Sequence, residues 1–128
     1  MTTTMERYAV MFVDDEPLVL QGLQRMLRSE RREWAMRFAR SGAEALQVME
    51  KEAFDAVVSD LRMPGMDGAE LLTKVMDRHP HMVRIVLSGE MDRDLTFRTV
   101  HCAHQFLSKP CDADTLKRTL ARASSLRK

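Results

Sequence analysis

The sequence predicts an α/β fold in which a five-stranded parallel sheet carries helices on both faces. Five short apolar runs of strand length alternate with segments whose apolar residues recur at helical spacing. This alternation favours parallel strands joined by right-handed helical crossovers. The middle run, residues 56–58, is apolar without interruption, which is typical of a strand covered on both faces.

The first half of the chain contains two strand–helix units. A strand is predicted over residues 8–13, followed by two acids and a helix with Pro17 in its first turn. A second strand is predicted around residues 34–38, where large apolar side chains alternate with small or polar ones. Ser41 and Glu44 then form a predicted capping box, in which each side chain satisfies an amide at the start of the second helix.

The second half contains three further units. The third strand ends at Asp60, and a loop rich in proline and glycine leads to a third helix that is predicted to stop at residues 78–80. The remaining elements are predicted at residues 84–87 (strand), about 92–102 (helix), 104–108 (strand) and from the N-cap residue Asp112 onward (helix).

Composition limits the classes of protein that the chain can belong to. Its 128 residues, 45% hydrophobic and 30% charged, suit one globular domain. The domain is expected over residues 8–123, with a flexible tail at 1–7 and a tail or the start of a linker at 124–128. A net charge of +1 gives no strong attraction to nucleic acid or anionic lipid, and no apolar run approaches a membrane span. Two cysteines form no disulfide framework, which favours a reducing, cytoplasmic setting.

Polar side chains follow the predicted strands at the points where they end. Asp14 and Asp15 follow the first strand, Asp60 ends the third, Ser88 ends the fourth and Lys109 follows the fifth. Each residue alone has an alternative reading as turn chemistry. Because the carboxyl ends of parallel strands share one edge of the sheet, where open α/β folds bind ligands, we expect these side chains to meet there.

Such a group of side chains suits phosphoryl chemistry. Clustered carboxylates repel one another and need a cation, and oxygen ligands of this kind suit Mg²⁺. A carboxylate beside the metal can attack a phosphoryl group and form an aspartyl-phosphate. Lys109 then supplies a positive charge and Ser88 a hydrogen bond to the phosphoryl oxygens.

These features resemble the receiver domain of two-component response regulators over about residues 8–122. The motifs that carry the resemblance are Asp14-Asp15, residues 59–68 around Asp60, Ser88-Gly89 and residues 106–110. The resemblance implies a flavodoxin-like, doubly wound (βα)5 fold with strand order 2-1-3-4-5. It also implies a signalling domain rather than an enzyme, with self-phosphorylation and autodephosphorylation as its only reactions.

The resemblance also implies a role for each site residue. Asp60 is the expected phospho-acceptor, with Ser88 and Lys109 on the phosphoryl oxygens. Asp15 and Asp60 are expected to ligate Mg²⁺, or Mn²⁺ in its place, together with the backbone carbonyl of Arg62. Asp14 is expected to act through a bound water.

Three further positions are singled out near the expected site. The resemblance implies that Phe106 is an aromatic switch residue paired with Ser88, although plain core packing is the alternative, and that the Lys109–Pro110 peptide is often cis. Arg62 and Glu90 flank the site and are candidates for an ion pair over the phosphoryl group. The alternative is two solvated side chains, because exposed pairs contribute little.

The expected partners are a sensor histidine kinase and an output domain or downstream protein that is not identified by the sequence. Phosphorylation is expected to switch the face formed by the fourth helix, fifth strand and fifth helix, with a homodimer as one outcome. Residues 100–112 are similar to receivers attached to HD-type (HD-GYP or HDOD) output domains. Direct contact with nucleic acid or membrane is not expected. The alternatives are a small Mg²⁺-dependent phosphohydrolase and an interaction module that is never phosphorylated.

Overall fold

A parallel sheet of five strands runs through the centre of the molecule. The computed structural model describes residues 7–109 and 111–126, and only the backbone of Glu90. The strands are β1 (Tyr8–Val13), β2 (Trp34–Ala39), β3 (Ala56–Asp60), β4 (Val83–Ser88) and β5 (Gln105–Ser108). They pair in parallel in the order β2-β1-β3-β4-β5, which confirms the expected topology.

Five helices connect and follow these strands. They are α1 (Pro17–Met26), α2 (Gly42–Lys51), α3 (Gly68–Arg78), α4 (Arg93–Arg98) and α5 (Ala113–Ser125), with short 3-10 turns at Arg28–Glu30 and Glu90–Asp92. The helix α5 continues past residue 123, where the domain was expected to end. No helix in the described part of the chain is long and apolar enough to cross a bilayer.

The hydrophobic core has two layers, one on each face of the sheet. Along β1, Val10 and Phe12 pack with apolar residues of α1 and α5, whereas Met11 and Val13 pack with those of α2 and α3. Successive side chains of a strand point to opposite faces, so one apolar run serves both layers. Burial on both faces holds the strand ends at a common edge.

Side-chain caps begin three of the helices. Asp112 accepts a hydrogen bond from the N–H of Thr115 at 2.7 Å, as expected. Ser41 accepts from the N–H of Glu44 at 3.1 Å, which confirms half of the predicted capping box. The other half is wrong, because the Glu44 carboxylate accepts from the N–H of Arg40 at 2.8 Å instead of that of Ser41. Asp67 caps α3 in the same way as Asp112, through the N–H of Glu70 at 2.9 Å.

The helix α4 is shorter than the sequence predicts. It ends at Arg98 instead of about residue 102, and the chain continues as turns. Thr99 N–H donates to the Thr96 carbonyl at 3.0 Å, and the Thr99 hydroxyl donates to the same oxygen at 2.7 Å. A threonine hydroxyl that binds a nearby carbonyl competes with helical pairing, which explains the early end.

Two glycines shape the loop between Asp60 and α3. Gly65 has φ of +75°, the left-handed region that favours glycine, and it follows Pro64 in a tight turn. Gly68 is needed for a different reason. A Cβ there would overlap the Asp60 carbonyl oxygen and lie 2.8 Å from Leu61 Cα, both backbone atoms. The start of α3 therefore packs directly against the end of β3.

We expect Gly68→Ala to lower the free energy of unfolding by about 1–3 kcal/mol, because the added methyl group must displace backbone. The matched control is Gly22→Ala within α1, where an added Cβ meets no atom within 4 Å. That change should raise the free energy of unfolding by about 0.5–1 kcal/mol, since alanine favours a helix over glycine. Urea denaturation measures both, and equal effects of the two changes would contradict the close packing at Gly68.

Candidate functional site

The carboxyl edge of the sheet brings distant parts of the sequence together. Asp14 follows β1 directly, Asp60 is the last residue of β3, and Ser88 is the last residue of β4. Val13 lies opposite Ser59 in the parallel pairing of β1 with β3, so the next residues, Asp14 and Asp60, are neighbours. The expected meeting of these residues at one edge is therefore observed.

Three carboxylates form a compact cluster at this edge. Asp14, Asp15 and Asp60 each offer an oxygen, and these oxygens lie within 4.8 Å of one another. Asp14 and Asp60 are buried, and Asp15 is half-buried. Among the described residues, this is the one group of three or more potential metal-ligating side chains.

Lys109 reaches Asp60 across the end of β4. Its Nζ donates a hydrogen bond to Asp60 Oδ1 at 2.6 Å, and the N–H of Leu61 donates to the same oxygen at 2.9 Å. The backbone N–H of Lys109 donates to the Ser88 carbonyl at 2.9 Å. The strand end thus positions the backbone of the lysine, and its flexible stem delivers the ammonium to the Asp60 carboxylate.

The electrostatics of the site reflect an excess of negative charge. Burial raises the pKa of Asp14, the charges of Asp60 and Asp15 add to this effect, and the hydrogen bond from Glu16 together with the charge of Lys109 opposes it. Burial alone would lower the pKa of Lys109, but the hydrogen bond and charge of Asp60 outweigh it, and the pKa is raised. One ammonium therefore faces three carboxylates.

The donor atoms of the cluster fit a hard divalent cation. Asp14 Oδ1 accepts a hydrogen bond from the N–H of Glu16 at 2.9 Å. Its other oxygen, Oδ2, is buried and has no hydrogen-bond partner within the described ranges. A buried, unpartnered carboxylate oxygen is costly unless it faces a cation or an ordered water. Oxygen donors of this kind suit Mg²⁺, which keeps several waters when it binds.

The other expected site residues have different outcomes. Phe106 lies on β5 with 39% of its surface exposed, so it is not plain core packing. The Lys109–Pro110 peptide and the Glu90 side chain lie outside the described residues, so the cis bond and the Arg62–Glu90 pair stay predictions.

The structure gives Arg62 other partners. Its Nε lies 3.1 Å from Asp92 Oδ1, and its Nη2 donates to the Met91 carbonyl at 2.7 Å. Asp92 is buried and was missed by the sequence reading. The signal was its position three residues after Gly89, where an acid can bind a backbone N–H at a helix start, as Asp92 does at 2.9 Å.

Comparison with known proteins covers nearly the whole chain. Residues 10–121 match the family described as the response regulator receiver domain. The chain is 38% identical over 108 residues to the transcriptional regulatory protein GlrR of Escherichia coli (strain K12), covering 84% of this chain and 24% of GlrR. It is 33% identical over 122 residues to the DNA-binding transcriptional regulator NtrC of the same strain, covering 94% of this chain and 26% of NtrC.

Comparison with solved structures also points to receiver domains. The signal receiver domain of an HD domain-containing protein from Pseudomonas fluorescens Pf-5 superimposes with a TM-score of 0.87 at 31% identity, over 94% of this chain and 96% of that domain. The chain spans only about a quarter of the length of the curated relatives named above. The acid cluster, the lysine, the sheet order and these matches agree, and the chain belongs to the receiver domain family of two-component response regulators.

Proposed function

We propose that this receiver domain accepts a phosphoryl group on Asp60 from the phosphohistidine of a sensor histidine kinase. The observation that carries the proposal is the state of the Asp60 carboxylate, which is buried, lies beside Asp14 and Asp15, and is bound by Lys109 Nζ at 2.6 Å. Membership of the family supports the same reaction. A kinase partner of this kind also favours the cytoplasmic setting expected from the sequence.

The two carboxylate oxygens of Asp60 have different roles in the proposed reaction. Within the described chain, the hydrogen bonds to this carboxylate go to Oδ1, which leaves Oδ2 as the nucleophile. Oδ2 forms a bond to phosphorus in line with the breaking P–N bond of the phosphohistidine. The electron pair of that bond leaves on the imidazole nitrogen, and the products are an aspartyl-phosphate and a neutral histidine.

Mg²⁺ fits the acid cluster as the cofactor, with Mn²⁺ as a substitute. Asp15, Asp60 and the Arg62 carbonyl are the proposed direct ligands, and Asp14 is proposed to act through a water. When bound, the ion neutralises charge on the carboxylates and on the phosphoryl oxygens. Support comes from the close approach of the three carboxylates and the unpartnered Asp14 Oδ2 among the described residues.

The response to phosphorylation is proposed to reach the surface through Ser88 and Phe106. The Ser88 hydroxyl donates to the new phosphoryl group, and Phe106 moves from its exposed position into the space that is vacated. Exposed apolar side chains lie on and beside α4 and on β5, namely Met91, Phe97, Val100 and Phe106. An exposed apolar patch marks an interaction site, which suits an output domain, a downstream protein or a second receiver as the partner.

We expect Asp14→Asn to raise the free energy of unfolding in EDTA by about 1 kcal/mol, because it removes one of three mutually repelling carboxylates. The same variant should lose most of the stabilisation that saturating Mg²⁺ gives the unaltered protein. Urea titrations with Mg²⁺ or EDTA measure both effects. Asp77→Asn, on an exposed residue of α3, is the matched control and should change neither. An Asp14→Asn protein that still gains full stability from Mg²⁺ would exclude Asp14 from the metal site.

We expect acetyl phosphate with Mg²⁺ to label the unaltered protein and not Asp60→Asn, with the adduct followed by intact mass. Lys109→Met should slow labelling by about a hundredfold, because a charge-stabilising group is lost from the transition state. Ser88→Ala should slow it by about tenfold through the loss of one charge-assisted hydrogen bond. Its control is Ser108→Ala, the exposed serine opposite Ser88 in the pairing of β4 with β5.

The outcomes of this experiment separate the candidate functions. Labelling of Asp60→Asn at the normal rate would refute Asp60 as the acceptor. Sustained turnover of p-nitrophenyl phosphate would favour the phosphohydrolase, since a receiver releases at most one phosphate per slow cycle. Failure of the unaltered protein to take any label with Mg²⁺ present would favour an interaction module.

A further inference from the structure

The loop after Asp60 is joined to the loop after β4 by one buried carboxylate. Arg62 belongs to the first loop, and its Nε donates to Asp92 Oδ1 at 3.1 Å. Asp92 belongs to the second loop, and its other oxygen accepts from the N–H of Gly89 at 2.9 Å. Gly89 directly follows Ser88, the proposed phosphoryl ligand. Asp92 therefore links the Arg62 guanidinium to the backbone that carries Ser88.

The two ends of this link differ in how freely they can move. The Asp92 side chain is 9% exposed, so separation from both donors would leave a buried charge unpaired. The Arg62 side chain is 57% exposed and is held also by the Met91 carbonyl at 2.7 Å. Its further contact, Asp94 at 3.5 Å, is itself exposed and adds little. Arg62 is thus the mobile partner and Asp92 the fixed one.

The far end of the same segment has a permanent anchor. Arg84 of β4 is buried, and its guanidinium donates to the carbonyls of Cys102 at 2.5 Å and Met82 at 3.0 Å. Burial lowers the pKa of Arg84, yet a guanidinium stays charged at any ordinary pH. The segment from Gly89 to Cys102, which contains α4, is therefore held at both ends, and only the end at Asp92 lies next to the phosphorylation site.

We propose that Asp92 is a positioning residue that holds the Ser88–Gly89 backbone in its resting place through Arg62, and that phosphorylation of Asp60 releases it. This inference rests on the proposed function for the arrival of the phosphoryl group. That group brings about two negative charges to a position two residues from Arg62. A guanidinium pairs with phosphate oxygens at least as well as with a carboxylate, so Arg62 exchanges partners. Asp92 then no longer fixes the loop, and α4 moves about its Arg84 anchor.

The resting half of the proposal is tested in the unphosphorylated protein. Asp92→Asn and Arg62→Gln should each move the amide resonances of Ser88 and Gly89 toward their positions in protein saturated with beryllofluoride and Mg²⁺. The double variant should move them no further than Asp92→Asn alone, because Arg62 has then already lost its carboxylate partner. Arg62→Lys should keep them near the resting positions, since it retains the charge. Unchanged resonances in both single variants, or additive shifts in the double variant, would overturn the link.

Two ion pairs elsewhere in the molecule provide controls. Arg98→Gln breaks the 3.3 Å pair with Asp67. This pair also joins α4 to the loop after Asp60, but it does not involve Asp92. Arg37→Gln breaks the 2.8 Å pair with Glu52. Arg37 lies on β2, the outer strand on the side of the sheet away from β5. Neither should move the resonances of Ser88 and Gly89. If Arg98→Gln moved these resonances as far as Arg62→Gln does, any ion pair to α4 would have the same effect. That result would contradict the specific role of Asp92.

The exchange of partners is tested by titration with beryllofluoride and Mg²⁺. Asp92→Asn should bind this phosphoryl mimic about threefold to fivefold more tightly, because the responsive state is populated beforehand. Equal or weaker binding than the unaltered protein would overturn the exchange. If the unaltered protein binds no mimic, the proposed phosphorylation fails, while the non-additivity test above still decides whether Asp92 and Arg62 act as one unit.

Discussion

The excess of carboxylates at the carboxyl edge of the sheet is the constraint on which the rest of the site depends. Asp14, Asp15 and Asp60 meet there, and the Lys109 ammonium pairs with Asp60. The strand order places β4 between Asp60 and Lys109, so only a long side chain can join them. A shorter residue after β5 would leave Asp60 without its internal cation. The fold thus supplies part of the neutralising charge, and the proposed metal ion would supply the remainder.

The positions that the sequence predicted well are those at which local pattern and global topology agree. The first strand was predicted at its observed bounds, residues 8–13, because an apolar run stops at two acids. Asp60 was singled out because an acid ends an apolar run that is buried on both faces. Once the strands are parallel, their carboxyl ends must share an edge, so the meeting of Asp14, Asp60 and Lys109 follows without knowledge of any distance. The chemical roles of these residues remain proposals.

Two of the features that the sequence reading missed arise from contacts between distant segments, and one arises from a local side-chain contact. Arg84 lies in the predicted fourth strand, yet its guanidinium is buried and donates to the Cys102 carbonyl. The spacing of Asp92 could indicate its local bond to the Gly89 N–H, whereas its pairing with Arg62 depends on a residue 30 positions away in the chain. The length of α4 was overestimated because helical periodicity does not register that the Thr99 hydroxyl competes for a backbone carbonyl. The first two cases depend on three-dimensional geometry that no local pattern encodes, and the third depends on a local hydrogen bond that competes with the helix.

The absence of a side chain at Gly68 has a mechanical consequence for the pocket. Because the start of α3 packs directly against the backbone of Asp60 and Leu61, this side of the site cannot shift to make room for an added group. The opposite wall, formed by the loop after β4, is held by side-chain contacts that can be exchanged. If Asp60 at the carboxyl edge of the sheet is phosphorylated as we propose, the displacement falls on the loop after β4 and is directed toward α4.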